Sequence, residues 1–247
     1  MEYKEVVTER ATTNELIKLT EGSQSWLLKR YQGESADIHR DSEKKRLALW
    51  AQQGYLVPAI IDDLKLSREV QPYLILQWLN GCSLADYLTA SDRPIEKKIQ
   101  QLKKIIKLIH QRQEYSLMKN CYDFIHHDLN TGNIILVNDD CYYIDFEAQF
   151  LPKKYQLTEA LAIELAKFIR WSVRDLGSTH LDEIIQLTIK IYTAENPILK
   201  LLIKRVHNRK FQFIHRWKNQ NKKKNNAEDI TKYDLADRFQ FFLNKVS

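Results

Sequence analysis

Glycine is scarce in this chain of 247 residues: there are six, at positions 22, 33, 54, 81, 132 and 177. So few glycines leave no room for a glycine-rich low-complexity region, and each is expected at a turn or an element end. Cysteine is scarce too. Three residues, Cys82, Cys121 and Cys141, are odd in number and share no metal-type spacing, which argues against a disulfide scaffold and for reduced thiols in a cytosol-like compartment. No apolar run approaches the roughly 18 residues that a membrane span needs, and the segment MEYKEVVTER is too charged for a signal peptide. A cytoplasmic, soluble protein is the expectation.

Hydrophobic residues make up 44% of the chain, enough for a packed core. The net charge of +6 is local in origin. Residues 200–224 carry ten Lys or Arg and no Asp or Glu; 38 basic residues less these ten leaves 28 against 32 acidic ones. That strip is either a solvated helix face running into a loop or a surface for an anionic partner such as lipid head groups.

Along the chain, β-like runs are expected at 3–8, 14–20 and 25–31, with EGSQ as a hairpin turn between the last two. A helix is expected over about 36–53, ended by Gly54, with Glu43, Leu47 and Trp50 on one face. PYLILQW (72–78) reads as a buried strand, and a helical stripe of Ile99, Leu102, Ile106 and Ile109 follows. Residues 157–171 form a helix apolar all round, hence central, and a further helix is expected over 228–245. KNQNKKKNN (218–226) reads as a loop. The fold class expected is α+β: a small strand-rich part with one helix (1–79), then a larger helical part (80–247).

The richest segment is HHDLNTGNIILVNDDCYYIDFE, residues 126–147. NIILV and CYYID flank the turn cluster NDD, which predicts a β-hairpin of 134–137 with 141–144. If Val137 pairs with Cys141 across a three-residue loop, Asn133 faces Asp145, and their side chains share one face about 5 Å apart. An amide oxygen and a carboxylate at that separation suit Mg²⁺, which keeps positions for phosphate oxygens. Asp128, in the irregular loop before the hairpin, is placed to accept a proton from an acceptor hydroxyl.

HHDLNTGN resembles the catalytic loop H-x-D-L-x-x-x-N of the protein-kinase-like superfamily, and IDFE resembles its D-F-G. The resemblance implies a bilobal fold and use of ATP and Mg²⁺. It implies Asp128 as the catalytic Asp, Asn133 and Asp145 as metal ligands, Lys29 as the strand lysine on the phosphates and Glu43 as that lysine's partner. LILQWLNG resembles the hinge, where backbone groups of Gln77 and Leu79 would hold adenine. The cover loop ERATTN lacks glycine, so Thr12 and Thr13 would contact phosphate beside backbone N–H groups. Glu147 stands where D-F-G has glycine, and no A-P-E segment follows. That directness is similar to the small-molecule and lipopolysaccharide kinases of the superfamily: aminoglycoside, choline and thiamine kinases, and above all Kdo and heptose kinases. The implied acceptor is a sugar hydroxyl of a lipopolysaccharide core or related glycolipid. The strip 200–224 would then rest on the inner face of an anionic membrane, and nucleic acid is not an expected partner. The alternatives are a kinase of a soluble metabolite or aminoglycoside-type antibiotic, and a pseudokinase that binds without turnover. Glu164, a carboxylate on so apolar a helix, needs a partner, expected in the backbone of the catalytic loop.

Overall fold

The structure is a computed structural model that describes residues 4–7, 14–64, 66, 71–147, 155–207 and 231–246. By internal packing the chain divides into two compact units: 1–82 with 133–149, and 83–132 with 150–247. The division expected from sequence placed the whole of 80–247 in one part. The segment 133–149 belongs instead with the N-terminal strands, because its apolar side chains find their partners there.

The first unit is built on a four-stranded antiparallel sheet, in the order β1 (Lys4–Val7), β2 (Glu15–Glu21), β3 (Gln24–Arg30) and β4 (Tyr73–Gln77). Gly22 turns the chain between β2 and β3 at φ 58°, a left-handed conformation that costs glycine nothing. Alternation then sorts the side chains. Ile17, Leu19, Leu28 and Ile75 form a buried apolar cluster on one face. Lys29, next to Leu28, points to the opposite face and meets helix α1 (Ala36–Gln52). The helix buries Glu43, Leu47 and Trp50 together, as their spacing predicts. Trp50 in turn packs edge-on against Tyr143 (5.3 Å) and Phe146 (4.7 Å), and the Tyr143 N–H donates to the Leu56 carbonyl at 3.0 Å. These contacts tie the segment 133–149 to the strands.

That segment contains the expected hairpin, β6 (Ile134–Val137) and β7 (Asp140–Tyr143), in a different register. Val137 pairs with Asp140 and Ile134 with Tyr143, so the loop has two residues, Asn138 and Asp139, not three. Both are left-handed, at φ 47° and 70°, the conformation of a type I′ turn, whose twist matches the strands. Asn and Asp tolerate that conformation better than other side chains. A short strand, β5 (Cys82–Ser83), lies next to β6 in the sheet order, where the chain leaves the first unit. Just before it Gly81 passes so close that a Cβ would lie 2.0 Å from the Leu136 carbonyl oxygen.

The second unit is helical: α2 (Leu84–Thr89), α3 (Ile95–Lys119), α4 (Leu157–Leu176), α5 (Leu181–Tyr192), α6 (Pro197–His207) and α7 (Lys232–Val246). Ser83 caps α2 by accepting the Asp86 N–H at 3.1 Å. Thr231 and Asp234 cap α7 reciprocally: the Asp234 N–H donates to the Thr231 hydroxyl (3.3 Å) and the Thr231 N–H to the Asp234 carboxylate (2.8 Å). Helix α4 is central, packing against α2, α3, α5, α6 and α7. Leu161, Leu165, Phe168 and Ile169 are wholly buried on it, while Arg170 and Arg174 are exposed, so the helix buries a broad face and not its whole circumference. The fold class is thus α+β, a strand-rich unit with one helix and a larger helical unit, as expected from the sequence. Thr12, Thr13, the loop 218–226 and most of the strip 200–224 lie outside the described residues.

Candidate functional site

In the first unit a charged cluster forms at the end of β3. Lys29 is buried, with a side-chain exposure of 7%, and its Nζ lies 2.8 Å from Glu43, 2.9 Å from Asp145 and 3.7 Å from Glu147. Burial alone would drive the ammonium toward neutrality. The three carboxylates outweigh it and hold the Lys29 pKa above the ordinary lysine value. Glu43, itself wholly buried, also accepts the Tyr31 hydroxyl at 2.7 Å and the Phe146 N–H at 3.4 Å. Burial and the neighbouring Glu43 push the Tyr31 phenol up, so it stays a donor.

Asp145 sits at φ 68°, a left-handed conformation that a non-glycine residue adopts at a cost. This kink follows from the corrected register. The Ile144 N–H donates to the Asn133 carbonyl at 3.1 Å, so Asn133 stands opposite Ile144, and Asp145 is one residue beyond the expected pairing. The left-handed turn at Asp145 brings its carboxylate to Lys29. Glu147, two residues on, is held by the Asn14 amide, whose oxygen accepts the Gln32 N–H at 3.2 Å. Burial and the neighbouring Asp145 raise the Glu147 carboxyl, although Lys29 opposes them.

One ammonium faces three carboxylates, a surplus of negative charge around Lys29. The oxygens nearby are those of the Asp145 and Glu147 carboxylates, hard donors of the kind that Mg²⁺ takes. Among the described residues no group of three or more His, Cys, Asp or Glu could by itself hold a metal ion. A cation held by these carboxylates would need further oxygen ligands, such as those of a phosphate.

In the second unit the loop carrying Asp128 is gripped by helix α4. Glu164, at 1% exposure, accepts the His126 N–H at 2.5 Å, pairs with Arg112 at 2.9 Å and accepts the Gln113 amide at 2.7 Å. Its predicted partner in the loop backbone is there. Gln113 in turn accepts the Tyr192 hydroxyl at 2.8 Å, and the Arg112 guanidinium donates to the Phe124 carbonyl. Asp128 receives the Lys167 ammonium on Oδ1 and the Asn130 amide on Oδ2 at 3.3 Å. Asn130 also accepts the Gly132 N–H at 2.8 Å, and the Thr131 hydroxyl donates to Asp175. His126 is buried, in keeping with an anchoring role, and His127 is exposed.

Structure thus brings Lys29, Glu43 and Asp145 together, and the Asn133 carbonyl accepts the N–H of Ile144, the residue before Asp145. At the end of β4, in LILQWLNG, the Gln77 N–H donates to the Ala59 carbonyl at 2.8 Å and the Leu79 carbonyl accepts the Gly81 N–H at 3.0 Å. Sequence reasoning missed Lys167, Asp175, Arg112 and the Asn14–Glu147 contact. Two of these carry a signal. Arg112 falls on the apolar stripe of α3, after Ile105 and Ile109, and Lys167 lies one turn after Glu164, beside the apolar Leu165, Phe168 and Ile169. A charge in either place needs a partner.

No family model matches this chain, and no curated protein matches it. Among solved structures it is similar to a chain of the yeast RNA Pol II CTD kinase CTDK-1 complex, at 19% identity and a TM-score of 0.44. The likeness covers 60% of this chain and 47% of that one, so this chain spans about half the length of that neighbour. A likeness of that size assigns neither family nor activity.

Proposed function

We propose that the protein is an ATP- and Mg²⁺-dependent phosphotransferase that moves a γ-phosphate to a hydroxyl acceptor. The observation that carries this reading is the buried Lys29 ammonium held between Glu43 and Asp145, with carboxylate charge to spare. A buried ion pair is a poor way to gain stability, since desolvation consumes most of the Coulombic gain. Its use as a phosphate-binding device explains why it is kept.

Asn133 and Asp145 would hold Mg²⁺, which when bound supplies positive charge to the nucleotide phosphates. Lys29 would bind phosphate oxygens, and Glu43 fixes where the ammonium points. The Gln77 carbonyl and the Leu79 N–H are the backbone groups assigned to adenine, since the Gln77 N–H and the Leu79 carbonyl are used internally. Thr12 and Thr13 are assigned to the phosphate cover. Asp128 orients the acceptor hydroxyl and accepts its proton. Catalysis of this kind rests on positioning and electrostatics.

The acceptor proposed is a sugar hydroxyl on a lipopolysaccharide core or related glycolipid. Its supports are the resemblance of HDLN…N with IDF to the Kdo-kinase branch and the strip 200–224, which suits an anionic membrane surface. The protein would then work in the cytoplasm, peripherally at the inner face of the membrane. Among the described residues no helix is long and apolar enough to cross a membrane.

The test is transfer of labelled γ-phosphate from Mg·ATP into a fractionated bacterial extract, with the wild-type chain and Asp128→Ala in parallel. Label entering the glycolipid fraction only with wild type is the expected result. Asp128-dependent label in the soluble fraction would move the acceptor to a metabolite or antibiotic. No Asp128-dependent label in any fraction would favour a pseudokinase.

A further inference from the structure

Three residues on one face of α4 hold the loop that carries Asp128. Glu164, Lys167 and Asp175, at i, i+3 and i+11, take the His126 N–H, the Asp128 carboxylate and the Thr131 hydroxyl in turn. Glu164 is wholly buried, and the Asp175 side chain is only 5% exposed. Lys167 differs, because its side chain is 33% exposed and that of Asp128 is 35% exposed. An ion pair so open to water adds little stability, so stability does not account for it. Its place does: the solvent side of Asp128 is the side from which an acceptor can arrive.

The lysine is well suited to fix a carboxylate. Its backbone is held on both sides by wholly buried neighbours, Leu165, Phe168 and Ile169, so its stem starts from a fixed point. Its ammonium takes Asp128 Oδ1 while the Asn130 amide takes Oδ2. With a donor on each oxygen, rotation of the carboxylate group is restrained. An ionised carboxylate offers about four lone-pair sites, so capacity remains for an acceptor hydroxyl.

We propose that Lys167 is a positioning residue for phosphoryl transfer, fixing the Asp128 carboxylate in the orientation from which it takes the acceptor's proton. The role rests on the phosphotransferase reading of Asp128. In the transfer, the acceptor O–H bond breaks and its proton goes to Asp128. The acceptor oxygen bonds to the γ-phosphorus, and the bond from that phosphorus to the bridging oxygen breaks with its electron pair leaving on ADP. Lys167 keeps its proton throughout and touches no reacting atom; it acts through Asp128 alone.

The experiment measures Asp128-dependent transfer of label from Mg·ATP into bacterial extract for wild type, K167M, K167R, D128N and the K167M/D128N pair, each checked for folding by circular dichroism. K167M is expected to lower kcat roughly 10- to 100-fold, the scale on which a displaced catalytic group loses rate. The KM for ATP should stay unchanged, and K167R should recover most of the rate. In the D128N background K167M should add less than about twofold, because groups that act as a unit are non-additive. A K167M rate equal to wild type, the same loss in both backgrounds, or a folded K167R as deficient as K167M would overturn the role. Where D128N leaves no measurable rate, the comparison of K167M with K167R decides it. Equal transfer by wild type and D128N would instead sink the phosphotransferase reading, and the Lys167 role with it.

Discussion

Lys29 and Glu43 show how much can be spent on one contact. Both side chains are almost without exposure, and the pair lies 2.8 Å apart. Taking away one partner of a buried pair typically costs about 3–5 kcal/mol, since the other charge stays behind unpaired. Lys29 would still have Asp145 at 2.9 Å, so Glu43→Ala should fall at the lower end, about 3 kcal/mol. Urea denaturation measures this, and a loss under about 1 kcal/mol would mean that Glu43 is no true anchor. In the sequence the pairing is implied by the resemblance to the protein-kinase-like superfamily, while spacing alone places only Glu43 on a helix face with Leu47 and Trp50. Glu147 is another matter. Its partner Asn14 stands 133 positions away, and nothing in either local pattern points to the other.

At the scale of elements, the hairpin is the instructive case. NDD between two apolar runs announces a turn, but not whether two or three residues form it. Type I′ geometry decides, because its twist matches that of the strands, and Asn138 and Asp139 can both be left-handed. The change of one residue moves Asp145 out of the pairing expected with Asn133, and the kink at φ 68° returns its carboxylate to Lys29. Gly81 sets how closely the neighbouring chain approaches this hairpin. A methyl group there would lie 2.0 Å from the Leu136 carbonyl oxygen, a backbone atom that cannot swing away. Gly81→Ala should therefore cost about 1–3 kcal/mol, the usual range for forced overpacking, and show up as a lowered urea midpoint. No change would mean that the two segments separate freely.

Helices α3 and α5 give a pH-dependent contact. His110 meets Tyr192 edge-on with ring centroids 4.4 Å apart, and burial lowers its pKa although Glu114 opposes the shift. The folded state then binds fewer protons than the unfolded chain in the window from the lowered value up to the ordinary histidine pKa of 6.5. Stability should rise with pH through that window and be lost as pH falls through it. Replacing His110 with Gln should flatten this part of the stability–pH curve. An unchanged slope in the variant would assign the dependence to other groups.

For the whole molecule, the strand-rich unit with one helix and the larger helical unit follow from periodicity and turn residues alone. Their boundaries do not: segment 133–149 packs with the strands because Trp50 offers aromatic partners to Tyr143 and Phe146, a relation across some 90 residues of chain. The candidate site is legible to the same depth. Asp128, Asn133, Asp145, Lys29 and Glu43 stand out in the sequence, whereas Lys167 on Asp128, Arg112 on Glu164 and Asp175 on Thr131 come from helices whose packing sequence patterns do not specify.

The central claim is that the Lys29 cluster binds a magnesium nucleotide, and calorimetric titration of Mg·ATP tests it most directly. Wild type should bind Mg·ATP, bind ATP more weakly when magnesium is chelated, and lose most of its affinity in Asp145→Asn and Lys29→Met. Binding that is indifferent to magnesium and unchanged in both variants, or no binding by wild type, would contradict the account.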